Sequence, residues 1–164
     1  MDHIEFRNLE EKDLIVIKEI YDYYILNSTA TYHTNPISID ELKEFIFVGH
    51  PKYKSFLIFY NEVLAGYCCI TQYKKRQAYD RTSEVSIYLI NTFHKKGIGQ
   101  KALSFLEKAA EERGIKNLIG IISGDNLGSI RLFEKCGYIK CAHYKNVGEK
   151  FGKILDVVAY QKEI

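Results

Sequence analysis

Tryptophan is absent from this 164-residue chain, methionine occurs once and proline twice. Aromatic burial therefore rests on thirteen tyrosines and nine phenylalanines, rings of moderate size that shape a pocket without naming its ligand. No Pro/Gly-rich linker, internal repeat or low-complexity tract interrupts the sequence, so residues 1–164 read as a single domain. No apolar run approaches the ~20 residues that cross a bilayer, which argues against a membrane partner. The opening "MDHIEFRNLEEKD" has acids where a signal peptide has a basic and then an apolar region, so the expected location is cytoplasmic. An excess of one charge sign is also missing. The net charge is +2, with basic residues offset by acids over most of the chain, which argues against a dedicated nucleic-acid binder. Cys68, Cys69, Cys136 and Cys141 show no C-x-x-C spacing, and adjacent Cys68 and Cys69 point to opposite faces of a strand. Neither a zinc knuckle nor a disulfide framework follows, and buried thiols in a reducing compartment are expected. The five histidines lack metal-ligand spacing, so no metal is expected.

What is present is an alternation of strand and helix patterns. "HIEFRNL" reads as a strand, and Asp13 as the cap of a helix with the stripe Leu14, Ile17, Ile20, Tyr21 and Tyr24 or Ile25. "NSTATYHTNP" breaks that period and reads as a loop. A shorter helix starts at Ser38 or Asp40 and runs through Leu42, Phe45 and Ile46. "KSFLIFYNEVLAGYCCITQY" reads as a hairpin turning at Asn61 and Glu62, and "KKRQAYDRT" as a polar connection. "SEVSIYLI" is a strand, Gly97 and Gly99 open a long helix, "NLIGIIS" is a strand, and "NLGSIRLFEKCGY" is a helix ended by Gly137. Two strands around a glycine-containing connection complete the chain. Strand, helix, strand in the middle implies neighbouring parallel strands, and the hairpins at either end make the sheet mixed.

Two stretches carry chemistry. In "HKKGIGQK" two glycines stand at the first turn of a helix, where unpaired N–H groups and the positive dipole end lie, with Lys95, Lys96 and Lys101 around them. Missing side chains there would let an anion such as a pyrophosphate reach the amides; a purely structural turn is the alternative. The spacing is not that of a Walker loop, and Ala102 takes the place of the third glycine in a dinucleotide fingerprint. In "SEVSIYL", alternation puts Val85, Ile87 and Leu89 on one face and Glu84, Ser86 and Tyr88 on the other. An isolated acid among apolar strand residues has its pKa raised toward the range of a general base. A solvated strand-end carboxylate, or one paired with Arg76 or Arg81, is the alternative.

As a set, these pieces resemble the GNAT superfamily of N-acetyltransferases. Its Q/R-x-x-G-x-G/A signature reads here His94-Lys95-Lys96-Gly97-Ile98-Gly99, and "NLGSIRLFEKCGY" is similar to its N-x-x-S/A-x-x-L-Y/F-E-K-x-G-F helix. "NSTATY", "RQAYDRTSEVSIYL" and "VGEKFGKILD" point to the phosphinothricin acetyltransferase group within it. The resemblance implies an α/β fold with a mixed, mostly antiparallel central sheet, parallel and splayed middle strands, and helices on both faces. It implies acetyl-CoA as co-substrate, its pyrophosphate cradled by Lys95, Lys96, Gly97, Ile98, Gly99 and Gln100, with Asn126 on the pantetheine arm. A backbone N–H around Ile87, Tyr88 and Leu89 would face the acetyl oxygen, and Glu84 would be the catalytic base. Arg76, Gln77, Ala78 and Tyr79 would line the acceptor, with Asn27 to Tyr32 as another wall. Lys150, Phe151 and Gly152 would come from the C-terminal hairpin, within the chain or across a homodimer. The implied activity is acetylation of the amino group of a small amino-acid-like compound, of phosphinothricin or methionine sulfoximine type, by direct attack in a ternary complex. None of the cysteines has a histidine at a spacing that suggests a covalent route. A protein N-terminus or a polyamine is the alternative acceptor, and a CoA-binding module without catalysis the non-enzymatic alternative. The sequence departs from the pattern at His94, where Gln or Arg is usual, and at Phe133, where a tyrosine or histidine would serve the leaving thiolate; the general acid is therefore unassigned. Tyr73, Arg81 and Ile154 replace frequent tryptophans around the acceptor.

Overall fold

A computed structural model describes all 164 residues. Strands β1 (Ile4–Asn8), β2 (Lys54–Tyr60), β3 (Val63–Gln72), β4 (Thr82–Leu89), β5 (Asn117–Ser123), β6 (Ile139–Lys150) and β7 (Lys153–Glu163) form one sheet. Its order is β1-β2-β3-β4-β5-β7-β6, and only the β4–β5 pair is parallel. That pair is joined by helix α3 (Ile98–Glu111), because parallel neighbours need a crossover. Asn61 and Glu62 turn the β2–β3 hairpin with φ of 48° and 69°, the doubly positive pair of a type I′ turn, reached here without an Asn-Gly sequence.

Strand alternation sorts the apolar residues to two cores. Helices α1 (Leu14–Asn27) and α2 (Ile39–Leu42) cover the face that carries Leu57, Tyr67 and Cys69. Helices α3 and α4 (Leu127–Lys135) cover the face that carries Phe56, Ile58, Cys68, Ile70 and Val85. Within α1 the stripe resolves in favour of Ile25, fully buried, while Tyr24 turns toward a cleft. Each such aliphatic side chain contributes about 1.5–3 kcal/mol through burial. No helix is long and apolar enough to cross a membrane.

Helix ends differ in detail from the sequence reading. The Asp13 carboxylate accepts from the Glu10 amide at 2.9 Å, closing a 3-10 turn ahead of α1 and leaving α1 itself without a side-chain cap. Ser38 caps α2 as expected, accepting from the Glu41 amide at 3.1 Å. That helix is shorter than its apolar pattern suggests, although the Ile46 amide still bonds the Leu42 carbonyl and both side chains are buried.

The feature that matters for function lies in the middle of the sheet. Parallel pairing of β4 with β5 spans only Thr82–Glu84 against Asn117–Ile119. Past that point β4 stays with β3 and β5 with β7, so the two central strands part and the sheet opens.

Candidate active site

Two cavities meet at the point of parting. The larger, about 720 Å³, lies between Val85–Leu89 on one side and Ile121, Ile122, Asp125 and Asn126 on the other, and reaches the first turn of α3. The smaller, about 400 Å³, lies on the α1/α2 face of the sheet beside Glu84. Ser86 and Tyr88 border both.

Along β4 the backbone points into the opening. Ile90 donates its N–H to the Ala65 carbonyl at 2.7 Å, so two-residue alternation turns the amides of Leu89 and Ile87 away from β3 and toward the gap. The Leu89 carbonyl confirms this sense by accepting from the Tyr24 hydroxyl, which also meets His94 Nε2 at 3.0 Å. Burial pushes the Tyr24 hydroxyl up to about 12, which keeps it a donor. The Tyr88 amide turns instead to β3, and it is the Tyr88 ring that reaches the cavities.

At the mouth of the larger cleft, Gly97 is the N-cap of α3 with φ +76°, a left-handed conformation that costs an L side chain about 1–2 kcal/mol. Lys95 is itself left-handed, φ +61°. Gly99 has a different reason from the one its sequence position suggests. A Cβ there would lie 2.8 Å from Leu132 Cδ2, so this glycine lets α4 close against α3, whether or not an anion is held nearby. His94, Lys95, Gly97, Ile98, Gly99, Gln100 and Asn126 all line this cleft. Lys96 does not; its ammonium lies 5.6 Å from the Tyr60 ring centre. The Asn126 side-chain oxygen accepts from the Ser129 amide at 3.2 Å, capping α4. Lys135 also borders the cleft and had no sequence signal.

The loop after α1 is tied to the far wall. Thr29 donates to Asp125 at 2.8 Å, and Tyr32 meets Ser123 Oγ at 2.8 Å and the Asp156 carbonyl at 2.5 Å. Burial would raise the Asp125 carboxyl, but the Ser123 and Thr29 hydroxyls outweigh it and hold it below the usual range. Lys150 is buried and donates to the Thr31 carbonyl at 2.7 Å, so the C-terminal hairpin braces the same loop.

Glu84 is the last β4 residue paired with β5, at the vertex of the opening. It makes no ion pair with Arg76 or Arg81, and burial raises its carboxyl above the ordinary value. Around it the smaller cavity is lined by Tyr21, His33, Phe45, Tyr67 and Cys69, with Glu44, Lys74 and Lys75 contributing charge. Tyr21 Oη is held by Thr31 Oγ1 at 2.5 Å and His33 Nδ1 at 2.6 Å. Tyr21, Phe45 and Tyr67 gave no sign of a cavity in the sequence because each fits a core stripe, and His33 lies in a loop without a pattern of its own. Arg76, Gln77, Ala78 and Tyr79 are exposed on and beside a 3-10 turn and border neither cavity. Tyr79 packs edge-on against Tyr73, which does line the smaller one. Phe133 lines the larger cleft, edge-on to Tyr138, and carries no proton to give.

Cys69 sits in the smaller cavity, where burial and then the Glu84 charge push its thiol up to about 12. All four cysteines are free.

Residues 6–159 match the family model of the acetyltransferase (GNAT) domain. The chain is 28% identical over 160 residues to the phosphinothricin N-acetyltransferase of Streptomyces viridochromogenes, covering 98% of this chain and 87% of that one. It is 28% identical over 164 residues to the L-methionine sulfoximine/L-methionine sulfone acetyltransferase of Salmonella typhimurium, covering 96% and 93%. Among solved structures it superposes with a TM-score of 0.90, at 29% identity, on a phosphinothricin acetyltransferase from Sinorhizobium meliloti in complex with AcCoA, covering 98% of this chain and 88% of that one.

Proposed function

Because this chain belongs to the GNAT acetyltransferase family, we propose that it acetylates the amino group of a small amino-acid-like compound of the phosphinothricin or methionine sulfoximine type. The observation that carries the reading is the short β4–β5 pairing. It opens a cleft from the glycine turn of α3 to Glu84 and puts a second, ring-lined cavity on the other side of the same residues.

Acetyl-CoA supplies an activated acetyl group: the amine nitrogen bonds its carbonyl carbon as the C–S bond breaks, and CoA departs as the thiolate. Amides at Gly97 to Gln100, with Lys95 and His94, suit the diphosphate, since helix N-termini bind anions. The Ile87 and Leu89 amides are the donors for charge developing on the acetyl oxygen, and preorganised backbone donors of this kind contribute about 3–4 kcal/mol. Glu84 takes the proton that the attacking nitrogen sheds, directly or through one water; its raised pKa brings it closer to that of an amine. Cys69 remains a protonated thiol at working pH, which favours direct transfer in a ternary complex over an acyl-enzyme. Phe133 leaves the departing thiolate to solvent.

The same reading makes the protein a cytoplasmic homodimer. Edge strand β6 and its partner β7 expose Ile139, Tyr144, Val147 and Ile154, with Phe151 at the turn between them, an apolar set that a second copy would cover. Thiol release from acetyl-CoA, followed across a panel of amino acids, methionine derivatives, phosphinothricin, polyamines and N-terminal peptides, tests the assignment. Turnover confined to the peptides or polyamines would reject the acceptor class.

A further inference from the structure

One tyrosine of α1 ties together two parts of the larger cleft. The Tyr24 hydroxyl donates to the carbonyl of Leu89, the last residue of β4, and meets Nε2 of His94, three residues ahead of the Gly97 N-cap, at 3.0 Å. These partners stand 65 and 70 residues away in the sequence. A neighbouring bond repeats the connection: Asn91 Nδ2 donates to the Tyr23 hydroxyl at 3.2 Å, so consecutive tyrosines of α1 hold both ends of segment 91–94. Counting hydrogens fixes the direction of each bond. A carbonyl only accepts, so the single Tyr24 hydrogen goes to Leu89. Tyr24 Oη then accepts from His94, so Nε2 carries a hydrogen and Nδ1 is left for another partner.

The need for such a tie follows from the parting of the strands. Beyond Glu84, β4 is paired with β3 alone, so its backbone lacks the ladder on the β5 side that fixes a central strand. The amides of Ile87 and Leu89 face that open side, and there the Leu89 carbonyl is held by a side chain instead of a strand. The Tyr24 ring packs edge-on to the Tyr88 ring, centres 5.2 Å apart, so the hydroxyl is aimed by packing that does not depend on its own bonds.

Resting on the acetyl-transfer reading above, we infer that Tyr24 is a positioning residue for that reaction. Its hydroxyl fixes the Ile87 and Leu89 amides where charge develops on the acetyl oxygen, and through His94 it holds their spacing from the turn that takes the diphosphate. Acetyl-CoA bridges these two places. An error in the spacing moves the thioester carbonyl off its donors while the diphosphate stays seated.

The test compares wild type, Tyr24→Phe, His94→Leu and the double variant, using the acceptor from the panel above that wild type turns over fastest. Tyr24→Phe keeps the packed ring and removes only the hydroxyl. Removing an oxyanion donor outright costs about 10²- to 10³-fold in kcat. Here both donors remain but are loosened, so kcat should fall about tenfold. The calorimetric affinity for acetyl-CoA, measured without acceptor, should change by less than about threefold, because the diphosphate seat is intact. His94→Leu should lower kcat less than Tyr24→Phe does. The double variant should be no slower than Tyr24→Phe alone, since His94 acts on this step through that hydroxyl. The titration's stoichiometry counts competent sites, so kcat is expressed per folded chain. A wild-type kcat in Tyr24→Phe, a loss confined to acetyl-CoA affinity, or losses that multiply in the double variant each overturns the role of Tyr24 and leaves the acetyltransferase reading in place. No thiol release by wild type with any acceptor of the panel overturns that reading, and this inference with it.

Discussion

Replacing Gly97 with alanine isolates the backbone's part in holding the co-substrate. A Cβ at this position meets nothing within 4 Å, so the substitution introduces no clash. Its cost is conformational only: at φ +76° an L residue is disfavoured by about 1–2 kcal/mol. For a chain of this length each kcal/mol lowers Tm by about 2–4 °C, so Gly97→Ala should melt about 2–8 °C below wild type. Strain at the N-cap is relieved by rotating the turn, which carries the amides of the first helical turn out of aim. Loss of one charge-assisted hydrogen bond, about 1.5–3 kcal/mol, corresponds to a rise of about 10- to 150-fold in the KM for acetyl-CoA. The acceptor's KM and the pH profile should not change, because Glu84 and the smaller cavity lie elsewhere. Thermal unfolding with and without acetyl-CoA, combined with steady-state kinetics in both substrates, reads all of this. A variant that melts lower yet uses acetyl-CoA at the wild-type KM would refute the anion cradle. Unchanged melting would refute the strain.

Glu84→Gln should lower kcat by about 10²- to 10⁴-fold at neutral pH and leave the KM for acetyl-CoA alone. Burial raises the folded-state pKa of Glu84, so the acid limb of the wild-type rate profile should lie above the ordinary carboxylate range. The folded chain then holds more protons than the unfolded one between the two pKa values, so stability falls as pH rises through that window. Glu84→Gln should therefore melt above wild type at pH 8, with the gap closing below the unfolded carboxyl's pKa; a lower Tm at pH 8 would contradict the absence of a partner. Lys150→Met removes the bond to the Thr31 carbonyl and loosens the Tyr21–His33 wall; the acceptor's KM should rise several-fold by kinetics while that of acetyl-CoA stays fixed. Gly120→Ala would place a Cβ 2.4 Å from Phe133 Cε1, an overpacking worth about 1–3 kcal/mol, and differential scanning calorimetry should show the lower melting temperature.

The order of strands and helices was legible because each element kept its own apolar period, and the glycine turn and Glu84 were legible because they break local rules. Glycines at a helix start and an acid in an apolar strand have a cost that asks for a reason. The resemblance to acetyltransferases supplied the link between them, and the splayed strands then put them at two ends of one opening. What the sequence hid is what obeys the rules. Tyr21 and Phe45 fit helical stripes and Tyr67 a strand pattern, so nothing marked them as cavity walls until the two faces were assembled. Gly99 shows the converse: its place in the signature suggested room for an anion, whereas the packing partner is Leu132, 33 residues away in a helix the local pattern cannot see. Arg76 was expected beside the acceptor, but the turn that carries it leaves it outside both cavities, whereas Lys74 and Lys75 line the smaller one.

Isothermal titration of the purified chain with acetyl-CoA tests the role of the parted strands most directly. Saturable heat at one equivalent per chain, with the affinity weakened about 10- to 150-fold on Gly97→Ala and unchanged on Glu84→Gln, is the predicted result. No heat of binding by folded wild-type protein would contradict it.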